Sequence, residues 1–267
     1  MFAYRSARCP FLLSFVALLA LVANALPAAA QQMRIETEVF VDDQTEPANH
    51  SVTLFDSNTV YDFVEQPPQI AVFRPPTASH SGSFIMLDLE TKQRTEVSTE
   101  RIAGLMKKLT RWAGEQEDKL LKFSARPEFE ESFDEESGLL MLESPVWSYT
   151  VATVPVESAK ALARYREFTD WYTRLNTMLH STPPPGARLK LNAALAAHGV
   201  VPVEIRRKVE SEATTLRATH MFTWRLSRED RMRIDEAQSY LANFKKVDNE
   251  EFLTRKAGQD VVRGQSR

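Results

Sequence analysis

The chain has 267 residues, with 33 Lys and Arg against 36 Asp and Glu, eight glycines, five histidines and one cysteine. A net charge of −3 argues against nucleic acid, which demands a basic face, and gives no reason to expect tight binding to anionic lipid. The few glycines lack the spacing of a phosphate-cradling loop.

Arg5 and Arg8 precede an apolar run from Phe11 to Leu26, and Pro27 and Ala28-Ala29-Ala30 follow it. This is the pattern of a secretory signal over residues 1–30, with cleavage expected before Gln31. The apolar run falls short of the ~20 residues that a membrane-spanning helix needs. Cys9 stands ahead of that run, whereas a lipoprotein signal carries its cysteine at the cleavage point. The expected product is periplasmic or extracellular. It has no thiol, and its net charge is −5 once Arg5 and Arg8 are removed. Export permits disulfides, yet none can form, so the core alone must hold the fold. No later segment is apolar enough to cross a membrane.

Residues 33–97 read as strands. Ile35, Thr37, Val39 and Val41 alternate with Glu36, Glu38 and Phe40, the period of a half-buried strand. Strands over 51–55 and 59–64 flank the turn cluster Asp56-Ser57-Asn58. A short strand over 70–73 lies between Pro67-Pro68 and Pro75-Pro76, which cannot donate to a ladder. Strands over 84–89 and 95–97 flank a hairpin turn at Glu90-Thr91-Lys92. The period then changes. Ile102, Leu105, Met106, Leu109, Trp112, Ala113 and Leu120 recur every three or four residues, predicting one helix over 99–124 capped by Ser98 or Thr99.

Strands return over 128–154, around an acidic turn that closes at Gly138. A helix over 157–179 carries Leu162, Tyr165, Phe168, Trp171, Tyr172 and Leu175. Pro183-Pro184-Pro185 stops it and opens a third helix over 187–198, with Gly199 placed for a left-handed cap. A strand over 201–209 follows. Another over 216–226 sets Leu216, Ala218, His220, Phe222, Trp224 and Leu226 on one face. Ser227 to Asp230 resembles a capping box for a last helix bearing Ile234, Ala237, Leu241 and Phe244. A disordered tail is expected over 256–267. The expected fold is α+β: a curved, half-barrel-like antiparallel sheet with amphipathic helices packed on it. Residues 31–255 read as one domain, or as subregions 31–156 and 157–255.

The sequence carries no recognisable nucleophile or metal motif. Ser81-Gly82-Ser83 lacks the flanking glycines of a nucleophile elbow, and no serine stands three residues before a lysine. His50, His80, His180, His198 and His220 are scattered, so a metal site would have to be assembled from distant residues. No cofactor is expected. His220 is the most conspicuous histidine because it sits on an apolar strand face, where a core histidine with one hydrogen bond is the ordinary reading. The acids from Glu128 to Glu136 lack the alternating spacing of a calcium loop and read as a solvated hairpin turn. Asn49-His50-Ser51 matches a glycosylation sequon. The aromatic segment from Tyr165 to Tyr172 offers a broad face that either packs on a sheet or lines a cavity beneath the helix.

The stretches Asn58 to Phe63, Phe84 to Leu89 and Arg94 to Val97 resemble the meander of bacterial envelope proteins related to the lipoprotein carriers LolA and LolB. The resemblance covers residues 33–97 and 139–154. It implies a half-barrel whose covering helices enclose an apolar cavity for acyl chains. The long helices after residue 157 and the triple proline depart from that pattern. The whole chain also resembles an exported bacterial family of unassigned activity.

Three functions are carried forward. The first is a non-enzymatic envelope protein binding a lipid or other apolar ligand between sheet and helices. Its candidate lining is Phe63, Phe73, Leu109, Trp112, Phe168, Trp171, Phe222 and Trp224. The second is a structural or adaptor protein with a filled core, holding an envelope protein by an edge strand or the acidic hairpin. The third is a hydrolase with a site assembled from distant acids and histidines.

Overall fold

The computed structural model describes residues 32–254. The expected signal over 1–30, its Cys9 and the expected tail over 256–267 lie outside the described residues. In chain order the elements are β1 (Met33–Val41), β2 (Asn49–Asp56), β3 (Thr59–Val64), β4 (Gln69–Arg74), β5 (Ser83–Asp88), β6 (Gln93–Ser98), α1 (Thr99–Glu115) and α2 (Lys119–Ala125). Then come β7 (Glu130–Asp134), β8 (Leu139–Glu143), β9 (Trp147–Pro155), α3 (Ala159–His180), α4 (Gly186–Ala197), β10 (Val200–Val209), β11 (Leu216–Thr223), α5 (Arg228–Asn243) and β12 (Lys245–Lys246).

All twelve strands join one open, curved sheet in the order β12-β6-β5-β4-β3-β2-β1-β11-β10-β9-β8-β7. The pairings are antiparallel apart from the short parallel contact of β12 with β6. β11 returns from the far end of the sequence to pair with β1, with His220 opposite Thr37. The strands before and after residue 157 therefore share one hydrogen-bonded sheet.

The hairpins form where short polar side chains satisfy the turn backbone. Asp88 Oδ1 accepts from the Glu90 and Thr91 N–H groups at 2.9 and 3.0 Å. In the acidic turn Asp134 Oδ1 accepts from the Glu136 N–H at 2.9 Å and Oδ2 from the Ser137 hydroxyl at 2.7 Å. Gly138 takes a φ of 67° there, and a Cβ at that position would sit 2.7 Å from the Thr153 carbonyl oxygen. Only glycine meets both constraints without strain.

The two faces of the sheet carry different loads. Ile35, Phe55, Val60, Phe73, Phe84 and Val97 point to the face covered by α1 and α3. Further along the same face α4 packs Ala187, Leu191 and Leu195 against Leu140, Tyr149, Val151 and Ile205. On the opposite face α5 sets Ile234 and Ala237 over Val52, Leu54, Val72, Ile85 and Leu87. Both sides of β2–β5 are thus buried, which is why these strands read as nearly continuous apolar runs.

Two local expectations are corrected. The single helix over 99–124 is two helices. Gln116 turns extended, with ψ of 158°, and Asp118 caps α2 by accepting from the Leu121 N–H at 2.8 Å. Leu120 keeps helical phase with Ala113 seven positions earlier, but the polar run Glu115 to Lys119 between them marks the break. The strand over 216–226 ends at Thr223, and the chain bends before the Ser227 cap of α5. Leu226 consequently packs in the α5-side core, away from Phe222.

Candidate functional site

α3 presents two stripes to the sheet. Tyr165, Phe168 and Leu175 enter the closed core, where Phe168 meets Phe55 at a centroid distance of 5.5 Å and Phe73 at 6.0 Å. Beside them Thr169, Thr173, Asn176, Thr177 and His180 follow helical spacing and face a cavity. Across from this polar stripe the sheet offers Thr37 and Val39 of β1, Leu216, Ala218 and His220 of β11, and Ile205 and Arg207 of β10. Short side chains on both walls leave a space of about 490 Å³. Leu120 of α2, Tyr172 of α3, Thr182 and the Pro183-Pro184-Pro185 segment, Ala187 and Arg188 of α4, Trp147 and Tyr149 of β9, and Glu212 complete the lining.

The polar groups of this wall are incompletely satisfied. Arg207 forms an ion pair with Glu212, and its guanidinium lies 5.3 Å from the Trp147 ring centroid. Its Nε is nevertheless buried without a hydrogen-bond partner, whereas the buried Trp147 indole N–H has the Tyr149 side chain beside it. His220 Nδ1 lies 3.0 Å from the Thr37 hydroxyl, and its Nε2 is buried and unpartnered as well. Burial, with the Arg188 charge adding to it, pulls the His220 imidazole down to about 3, so the ring is neutral at ordinary pH. Arg188 donates from Nε to Asn192 Oδ1 at 3.1 Å, and Asn192 in turn donates to Asp170 at 2.9 Å. Glu212, held by Arg207, is the one carboxylate in the lining among the described residues.

Tyr172 links the cavity to the core. Its ring stacks on Phe168 at 5.1 Å, and its hydroxyl donates to the buried Asp62. Burial, then the Asp62 charge, raises the phenol well above its ordinary value.

The eight aromatic and aliphatic candidates are dispersed. Phe63 packs on the α5 side of the sheet. Phe73 and Phe168 are buried in the closed core, and Phe73 stacks on Phe84 at 4.6 Å. Leu109 and Trp171 pack at the core's margin, with Arg174 over the Trp171 ring at 5.1 Å. Trp112 is 49% exposed on α1. Phe222 meets Tyr165 edge-on at 5.6 Å, and Trp224 stacks on Phe222 while remaining 41% exposed. The cavity is lined by other residues. The sequence signal for it is the run of Thr, Asn and His at helical spacing on α3, where a wholly packed helix would carry larger apolar side chains.

The remaining histidines sit beside local partners. His50 bridges Glu36 at 2.9 Å and Glu65 at 2.8 Å. His198 bonds Glu131 at 2.8 Å and stacks on Phe133 at 4.2 Å. His80 bonds Ser79 at 2.8 Å. Among the described residues no three His, Cys, Asp or Glu side chains gather closely enough to hold a metal ion. Among them, too, no helix is long and apolar enough to cross a membrane. Comparison with protein-family models finds no match to this chain, and comparison with curated proteins likewise finds none.

Proposed function

We propose that this chain is an exported envelope protein that holds a lipid or other apolar ligand between α3 and the sheet and catalyses no reaction on it. The observation that carries this reading is the space of about 490 Å³ beneath α3, bounded by short side chains on both walls. Its size falls within the roughly 300–1,000 Å³ of small-molecule sites. Val39, Leu120, Pro184, Ile205, Leu216 and Ala218 supply an apolar surface, and a few polar groups stand among them. The secretory pattern over 1–30 and the resemblance of the N-terminal strands to lipoprotein carriers point the same way. The lone lining carboxylate, tied up by Arg207, favours this reading over a hydrolase that works with two facing acids.

Native mass spectrometry of the exported protein, before and after organic extraction, tests the proposal. A bound mass that is lost on extraction and absent from Ala218→Phe is the expected result. A folded protein that carries no extractable ligand and takes up no hydrophobic probe would refute it.

A second reading, an adaptor for an envelope protein, draws on β7. This strand forms one edge of the sheet, with Glu130, Glu131, Ser132 and Asp134 exposed. An edge with unpaired backbone groups can accept a strand from a partner. Stoichiometric co-purification of one protein, lost when Ser132 is replaced by proline, would favour it.

A further inference from the structure

Resting on the cavity reading above, we propose that the ligand is a single-chain amphiphile with a singly charged anionic head group, received by Arg207 and Arg188 beside Tyr149. Arg207 Nε is buried in this wall without a partner among the described residues. An arginine nitrogen is a donor only, so what completes it must bring an acceptor. Leaving a buried donor unsatisfied is costly, so Arg207 Nε marks a place where a ligand oxygen belongs. The unpartnered His220 Nε2 stands apart from it: Leu216 lies opposite Arg207, and His220 is four positions further along β11, about 13 Å away.

Charge sets the sign and the size of the head group. Arg188 and Arg207 face the cavity against the single carboxylate of Glu212, leaving an excess of one positive charge in the lining. One negative charge, such as a carboxylate, balances it. Arg207 spends part of its guanidinium on Glu212 and stacks on Trp147, which holds the fork in place for a charge-assisted bond from Nε. Between the Arg207 and His220 positions, Val39, Ile205 and Ala218 form an apolar floor along paired strands. A volume of about 490 Å³ suits one alkyl chain.

Isothermal titration of the delipidated protein with decanoate, 1-decanol and acetate separates these features. Decanoate is expected to bind one to one and at least about tenfold more tightly than decanol, the scale of one charged hydrogen bond. Acetate is expected to give no measurable binding. Arg188→Gln and Arg207→Gln each remove one positive charge from the lining. Each should weaken decanoate about three- to tenfold while leaving decanol unchanged, and unchanged decanol binding also reports an intact cavity. Equal affinity for decanol and decanoate, or decanoate affinity indifferent to both variants, overturns the head-group assignment and leaves the apolar cavity standing. Acetate binding as tight as decanoate overturns the amphiphile. Failure of decanol and decanoate alike overturns this inference together with the proposed function.

Discussion

The Tyr172 hydroxyl donates to Asp62 Oδ2 at 2.5 Å, joining α3 to β3 across 110 positions of chain. The Thr53 hydroxyl donates to the other carboxylate oxygen at 2.6 Å. Burial pushes the Asp62 carboxyl above its ordinary value of 3.8, and the two hydroxyls only partly offset that. Tyr172→Phe removes one donor and leaves a buried acceptor half-satisfied, so it should cost about 1–3 kcal/mol at pH 7, read by urea unfolding.

The same pair makes a pH prediction. A carboxyl raised in the folded state contributes stability that is fully present below pH 3.8 and is lost as pH rises through its folded value. Asp62→Asn cannot ionise. Its unfolding free energy should therefore fall less than the parent's between pH 4 and pH 7. Equal slopes for the two proteins would show that Asp62 titrates as if unburied.

His220 acts in the opposite direction. Its imidazole is depressed from 6.5 to about 3, so its contribution is present above pH 6.5 and disappears as pH falls toward 3. At about 1.4 kcal/mol per pH unit, a loss of about 2 kcal/mol is expected between pH 6.5 and 5. His220→Gln should abolish that segment of the stability profile. In NMR titration the His220 ring carbons of the folded protein should show no shift between pH 8 and 5.

His50 provides a contrast within one sheet. Burial pulls its imidazole down, but the hydrogen bonds it donates to the Glu36 and Glu65 carboxylates outweigh this and raise it above 6.5. Its stabilisation is complete below pH 6.5 and lost as pH rises through the folded value. The His50 resonances should titrate above those of a model peptide, and Glu36→Gln should bring them back toward 6.5.

Gly138 and Gly199 both adopt positive φ, at 67° and 71°. Alanine at either position pays the left-handed penalty of about 1–2 kcal/mol. A Cβ at Gly138 also meets the Thr153 carbonyl oxygen at 2.7 Å, whereas at Gly199 it enters open space. Gly138→Ala should therefore lower the thermal midpoint distinctly further than Gly199→Ala.

Strands and turns were legible because their signals are local. Alternation in β1, the Asp56-Ser57-Asn58 turn and the Ser227–Asp230 capping box each need only a few neighbouring residues, and each stands in the structure where the pattern placed it. The break between α1 and α2 was missed because Leu120 stays in helical phase with Ala113, seven positions earlier, although the polar run Glu115 to Lys119 and the N-cap at Asp118 mark it. His220 was conspicuous on its apolar strand, yet its Thr37 partner lies 183 positions away.

By itself the amino-acid order determined which segments form strands and helices and which of their faces are apolar, since backbone geometry converts spacing directly into facing. Tertiary structure alone decided that β11 pairs with β1, and that the polar stripe of α3 lies over Ala218 and Thr37 with room to spare. A cavity is the difference between the separation of two walls and the side chains that project from them. Beside the cavity Phe168 and Tyr172 of α3 meet Phe55, Phe73 and Phe84 of three different strands, so no one segment encodes that separation.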